Sequence, residues 1–333
     1  MRNAICTMVV MLGFVCGAVG ESAPQVARDV LELTSGARTR LVWQHCVRGE
    51  GKDWDAHTPN YELKTFDTAT GRRKVIAPGP ASYGFPWITS DGQSIVFTDL
   101  ADFGKPVVKI IPFEGGEPRK LVDGFGACLW RDPDDGSQWV VVTGGYEVKS
   151  EKQQVFRHRL DDPSVKQLVF TGPTSPRFRV SADGRWAASE FPWPHSGIAN
   201  LEQNRRRVFG RGCNTMMAPD NSYRWYYMVG NHRQIVMHDA GGVNPRTIDV
   251  APPGMRSPVW VPRWTNDVRL ITLTAPLANG AGDVYLLRFD EAFTKIERGH
   301  LIKTGGQEFS VVFLDPERLQ ENVLTDVNDI RGR

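Results

Sequence analysis

Short apolar runs recur along the chain, each placed just after a cluster of turn-forming residues. Ile95-Val96-Phe97 follows Thr89-Ser90-Asp91-Gly92, Trp139-Val140-Val141-Val142 follows Pro133-Asp134-Asp135-Gly136, and Trp186-Ala187-Ala188-Ser189 follows Ser181-Ala182-Asp183-Gly184. Two more copies run Ala218-Pro219-Asp220-Asn221 then Trp225-Tyr226-Tyr227-Met228, and Trp264-Thr265-Asn266-Asp267 then Leu270-Ile271-Thr272-Leu273. Asp-Gly and Asn-containing turns tolerate the positive φ that a tight hairpin needs, so each copy predicts an antiparallel A–B hairpin. The turn residues at 91, 135, 183, 220 and 266 are 44, 48, 37 and 46 positions apart. A period of this size marks a repeat architecture.

Each unit continues with a second hairpin. Strand-like stretches at 61–66, 107–113, 155–160, 234–238 and 284–289 run into turns such as Thr68-Ala69-Thr70-Gly71, Glu114-Gly115-Gly116 and Ala240-Gly241-Gly242. The unit is therefore a four-stranded meander, A to D. One such sheet cannot cover both of its faces, and radial packing of several around an axis does so. B strands are expected near 40–43, 95–98, 139–142, 186–189, 225–228 and 270–273. The predicted fold is all-β, a six-bladed β-propeller of four-stranded antiparallel blades. Segment 308–314 is strand-like with no B strand after it, while the first blade has no innermost strand before it, so the C-terminal strand is expected to close the ring. The one helical candidate, 24–33, is too short for a helical domain, and the C strand of the fourth blade, around 197–201, reads as poorly formed.

The S/T-x-D-G turn with its following apolar strand resembles the repeat of TolB-like propellers, secreted relatives of WD-repeat proteins. The resemblance runs through nearly all of the chain after residue 20 and bears on fold far more than on activity. Pro133-Asp134-Asp135-Gly136 and Thr265-Asn266-Asp267 are irregular copies, and no N-terminal α/β domain like that of the TolB translocation protein is visible.

Composition narrows the setting. With 41% hydrophobic and 23% charged residues the chain is globular, and 40 basic against 38 acidic residues leave a net charge of +2. Basic clusters are short, such as Arg205-Arg206-Arg207, so the electrostatic stripe of a nucleic-acid binder is missing. Residues 1–20 read as a signal peptide: Arg2, an apolar run from Ala4 to Val19, and small residues before Glu21. That run is short of the roughly 20 apolar residues a spanning helix needs, and Val15 before Cys16 is wrong for a lipoprotein. The expectation is a mature chain, 21–333, without a transmembrane segment, in the periplasm or outside the cell. It keeps Cys46, Cys128 and Cys213, an odd set with no CxxC, which suits free thiols with at most one bridge.

In a propeller the A–B and C–D turns share one face, and the B–C loops share the other with the starts of the A strands. The B–C side gathers His45, His57, His195, His232 and Arg233, with Arg177, Arg179, Cys213 and Asn214 at A-strand starts. Phe191-Pro192-Trp193-Pro194-His195-Ser196 offers an aromatic platform for a sugar ring or a stiff blade edge, and Gly212-Cys213-Asn214-Thr215-Met216-Met217 reads as tight packing near the axis. Gly230-Asn231-His232-Arg233 is more polar than a strand connection requires. The candidate ligand-binding residues are His45, His57, Arg177, Arg179, Trp193, His195, Asn231, His232 and Arg233. No G-x-S-x-G elbow, HExxH pair or phosphate loop is present. The leading expectation is a non-catalytic propeller that binds a carbohydrate or protein ligand on its axial B–C face without a cofactor. The alternative is a metal-dependent polysaccharide lyase acting on acidic oligosaccharides. Resemblance to the repeat of oligogalacturonate lyases implies histidines from several blades around a divalent metal, with Arg177 or Arg233 clamping the substrate carboxylate.

Overall fold

A computed structural model describes residues 23–47, 59–145, 149–251, 258–276, 282–302 and 306–309. Helix α1 (Ala23–Leu33) precedes the strands of blade one, β1 (Arg40–Cys46), β2 (Tyr61–Asp67) and β3 (Arg72–Ala81). Blade two is β4 (Tyr83–Ile88), β5 (Ser94–Asp99), β6 (Val107–Pro112) and β7 (Arg119–Asp123). Blade three is β8 (Phe125–Arg131), β9 (Gln138–Thr143), β10 (Gln154–Arg159) and β11 (Lys166–Thr171). Blade four is β12 (Arg179–Val180), β13 (Trp186–Glu190), β14 (His195–Asn200) and β15 (Arg205–Arg211). Blade five is β16 (Cys213–Met217), β17 (Trp225–Val229), β18 (Gln234–His238) and β19 (Arg246–Asp249), and blade six is β20 (Trp260–Trp264), β21 (Leu270–Pro276), β22 (Gly282–Phe289) and β23 (Ile296–Ile302). The last strand, β24 (Gly306–Phe309), returns to blade one, where the order is β24-β1-β2-β3. Trp43 lies opposite Phe309 and His45 opposite Gly306. The ring is thus closed by the C-terminal strand as the sequence predicts, starting two residues earlier; 310–314 lie outside the described residues.

The innermost strands β4, β8, β12, β16, β20 and β24 touch one another in turn and return to β4. Between them the blades bury a separate apolar core at each of the six interfaces. Strand periodicity explains how one run serves two cores. Ile95 and Phe97 face blade one while Val96 faces blade three, and Val140 and Val142 face blade two while Trp139 and Val141 face blade four. A sheet buried on both faces needs apolar residues at successive positions. That is why the B strands are the continuous apolar runs.

The turns are built as their residues require. Thr89 Oγ1 donates to Asp91 Oδ1 at 2.6 Å, the Gln93 amide donates to the same oxygen at 2.9 Å, and Gly92 takes φ 72°. Ser181, Asp183 and Gly184 repeat this, with Ser181 Oγ 2.6 Å from Asp183 Oδ1 and φ 74° at the glycine. Neighbouring turns are also tied together. The Ser90 amide donates to Gln138, Trp130 Nε1 to the Ala182 carbonyl at 2.9 Å, and the Asp183 amide to Asn221 at 3.0 Å.

The fourth blade's C strand is paired on both sides, contrary to its sequence reading. Its low apolar content has a steric cause: a Cβ at Gly197 would stand 2.2 Å from the Arg207 carbonyl oxygen, beside a bulge between Ser196 and Gly197. Close strand approach, not weak pairing, selects the small residues.

Helix α1 lies over the seam where the ring closes. Val26, Ala27, Val30 and Leu33 fall on one face and join Leu41, Trp43 and Phe66 of blade one to Leu270, Val284, Leu286 and Ile302 of blade six. Arg288 donates to the Leu33 carbonyl at 2.9 Å, and His300 stands 3.6 Å from Asp29. Val30 is fully buried, so Val30→Ala should cost about 2 kcal/mol of stability. Chemical denaturation should show that loss, with faster amide exchange in β1 and β23 before the other blades; an unchanged midpoint would show that the helix does not hold the seam.

Candidate functional site

The inner strands run from the B–C face to the A–B turns, and where they end they surround a cavity of about 240 Å³ on the axis. Trp87 and Ile88 of blade two, Cys128 to Arg131 of blade three, Arg179 and Val180 of blade four, Met216 and Met217 of blade five and Trp264 of blade six form its walls. Ser90, Gln138, Thr265 and Asn266 lie at its rim. This cavity is at the A–B end, opposite to the face where the sequence places most of the candidate residues.

Arg179 is the buried charge in that wall. It is 5% exposed, and its Nη1 donates to the carbonyls of Ala127, Phe178 (3.3 Å) and Pro176 (3.4 Å). Its Nε and Nη2 are buried without a hydrogen-bond partner among the described residues. The guanidinium lies 4.5 Å from the Trp87 ring, and that of the fully buried Arg263 lies 4.6 Å from the same ring, within cation–π range. Burial pushes the Arg179 value down to about 10, helped by the charge of Arg177, while Cys128, Glu190 and Tyr226 act in the opposite direction. It remains a cation at neutral pH. The carboxylate that bears on it, Glu190, is itself engaged: it accepts from the Ser175 hydroxyl, from the Thr215 amide at 2.9 Å and from the Thr215 hydroxyl at 3.1 Å.

At the B–C end, Cys213 Sγ lies 3.0 Å from His232 Nε2, and His232 meets the Trp260 ring edge-on at 4.3 Å. Burial pushes the Cys213 thiol up to about 11, partly offset by the Arg177 charge. Burial and Arg177 together lower His232. At neutral pH the pair is a neutral thiol against a neutral imidazole, not the thiolate that makes a cysteine a nucleophile. The loop carrying His232 is left-handed over three residues, Gly230, Asn231 and His232, at φ 59°, 53° and 60°. Asn214 also has positive φ, but so do Phe85 and Val261 at the bulges of β4 and β20. At Asn214 the strain belongs to the repeated inner-strand bulge; at 230–232 it belongs to this loop alone.

The sequence-derived set therefore divides. His232 meets Cys213, with the Arg177 charge acting on both, and Arg179 lines the opposite cavity. Arg233 and Asn231 share the His232 loop, where the Arg233 carbonyl accepts from Val250 and Ala251. His45 lies within β1 rather than a loop, 4.0 Å from Glu62. His195 is the exposed first residue of β14, and Trp193 beside it is half exposed. His57 lies outside the described residues. Among the described residues no three His, Cys, Asp or Glu side chains are grouped as a metal would need. Sequence reasoning missed Trp87, Trp130, Cys128 and Trp264. A signal existed: the strand-closing hydrogen bonds of Thr89, Ser181 and Thr265 place Trp87, Arg179 and Arg263 at one repeat position, two residues before the turn.

No family model and no curated protein matches the chain by sequence. Solved structures match by shape. TolB from Acinetobacter baumannii is 12% identical with a TM-score of 0.57, over 86% of this chain and 69% of that one. A TolB described as putative, from Agrobacterium tumefaciens, is 14% identical with a TM-score of 0.49, over 84% and 100%. An oligogalacturonate lyase in complex with manganese is 14% identical over 80% and 73%, with a TM-score of 0.45. The fold is that of a TolB-like six-bladed propeller, and at such identities the likeness concerns fold alone.

Lowered histidines leave a mark on stability. His232 and His238 are both depressed, chiefly by burial. The unfolded chain takes up their protons near pH 6.5, the folded chain only at lower pH, so stability present above about 6.5 is lost as pH falls. The His232→Gln, His238→Gln double variant should show a flatter decline in melting temperature between pH 7 and 5 than the wild type. Parallel curves would show that these rings are not held neutral by the fold.

Proposed function

We propose that this chain is a secreted, non-catalytic binding propeller, exported through a leader at residues 1–20 and working in the periplasm or outside the cell, which holds a protein segment or carbohydrate at its axis without a cofactor. The axial cavity carries this reading: apolar and aromatic walls with one buried cation are the composition of a recognition pocket. The linked A–B turns support it, because a site on braced elements loses little freedom when a ligand arrives. The B–C end adds Arg177, Asn231, His232 and Arg233 as a second contact surface. The neutral state of Cys213 and His232 favours recognition over covalent chemistry at that end.

Val180 lines the cavity and carries no charge, so Val180→Phe narrows it without altering electrostatics. Short synthetic peptides and bacterial cell-wall oligosaccharides, titrated while following tryptophan fluorescence and heat, should yield a saturable ligand whose affinity drops at least tenfold in Val180→Phe. That ligand should be recovered chemically unchanged. Binding indifferent to Val180→Phe would remove the cavity from the proposal, and conversion of the ligand would overturn the non-catalytic reading.

A further inference from the structure

Within that binding reading, on which this step rests, we infer that Arg179 holds a ligand carboxylate at the floor of the axial cavity, with the ligand's apolar body against Trp87, Trp264 and Met217. The chain itself shows how its arginines hold carboxylates. Arg38 grips Asp67 through Nε (3.2 Å) and Nη2 (2.6 Å), and Arg159 grips Asp161 through the same two nitrogens at 2.9 and 2.5 Å. This side edge of the guanidinium presents two parallel N–H groups that match two carboxylate oxygens. In Arg179 that edge is the part left without a partner. Its remaining nitrogen, Nη1, is fixed by the backbone carbonyls of Ala127 and Phe178, so the plane of the fork is set before any ligand arrives.

The rest of the cavity says what carries the carboxylate. Glu190 cannot turn to Arg179 without giving up Ser175 and Thr215, which leaves the cation to be matched from outside. Apart from the exposed Arg131, whose Nε donates to the Gly136 carbonyl at 3.4 Å, the walls are mostly apolar, and two of the rim groups are already committed: Gln138 is held by Ser90 and Asp91, and the Thr265 hydroxyl donates to the Asp267 carbonyl. Sugar hydroxyls would lose water there without finding partners, and a sulfate or phosphate would leave oxygens bare against tryptophan and methionine. A cavity of about 240 Å³ falls just below the roughly 300–1,000 Å³ of pockets for drug-sized ligands. It suits an aryl or aliphatic acid, or the final residue of a peptide with the preceding chain leaving through the mouth.

The test compares acids with their amides on the whole mature protein. 3-Phenylpropionate and N-acetyl-phenylalanine should bind, and 3-phenylpropionamide and N-acetyl-phenylalaninamide should bind at least tenfold more weakly. D-Galacturonate should be weaker than either acid. Arg179→Met should abolish the preference for acid over amide, and Arg179→Lys should keep part of it. A short peptide ending in phenylalanine that binds better than N-acetyl-phenylalanine, and loses this on C-terminal amidation, assigns the source to a protein terminus; tighter binding of the small acids assigns it to a free hydrophobic acid. Equal affinity for acid and amide, tighter binding of galacturonate, or no binding of any acid overturns the inference. Because the acid and amide comparison uses unaltered protein, a misfolded Arg179 variant does not blunt it. If the acids fail while the peptide and oligosaccharide titrations find a ligand sensitive to Val180→Phe, only this inference falls; if both fail, the binding reading falls too.

Discussion

Every blade has two apolar faces, and a sheet with two apolar faces needs two neighbours. This constraint, met only by a closed ring, determines most of the rest. Ile95 and Phe97 have no place to go except against Val42 and Leu63, and Val96 none except against Val140 and Val142. An open seam would leave one such face in water and two sheet edges unpaired. The chain closes it with β24 beside β1, and helix α1 lies over the same joint, so elements from both ends of the described chain secure one interface.

Closing a ring also creates an axis, and the inner strands must converge on it without filling it. Bulges at Phe85, Asn214 and Val261 turn these strands. The space left at the A–B end becomes the cavity, while Cys213 and His232 meet at the B–C end. The A–B rim is stiff because Asp91 and Asp183 are fastened within their turns and to the next blade. A pocket made by ring closure therefore has walls whose positions are fixed by core packing rather than by the pocket's own contacts.

The residues differed in how much they disclosed from sequence. B strands such as Trp139-Val140-Val141-Val142 were plain because both faces are buried, and turns such as Ser181-Ala182-Asp183-Gly184 because positive φ demands particular residues. Inner strands were obscure: β12 is two residues long, and β4, β8, β16 and β20 are bulged, which breaks the period-two pattern. Arg177 and His232 were anticipated as sharing a face, since loop geometry alone puts them there. The contact of His232 with Cys213 is not legible in the same way, because it depends on the left-handed turn at 230–232. The aromatic wall was hidden for another reason. Trp87, Trp130 and Trp264 each precede a turn and read as ordinary core, and only aligning the repeats on their closing hydrogen bonds shows Trp87 sharing its position with Arg179 and Arg263.

That shared position governs the electrostatics of the axis. Two guanidiniums at about equal distance from the face of one indole, with Arg177 nearby acting on Cys213 and His232, make the described axial lining electropositive. An indole can hold such charges in place because its π face attracts cations, but it cannot neutralise them. Glu190 lends its charge at a distance while its oxygens serve blade packing through Ser175 and Thr215. The lining therefore favours an anion over a cation, and of the two only an anion can also satisfy the unpartnered edge of Arg179.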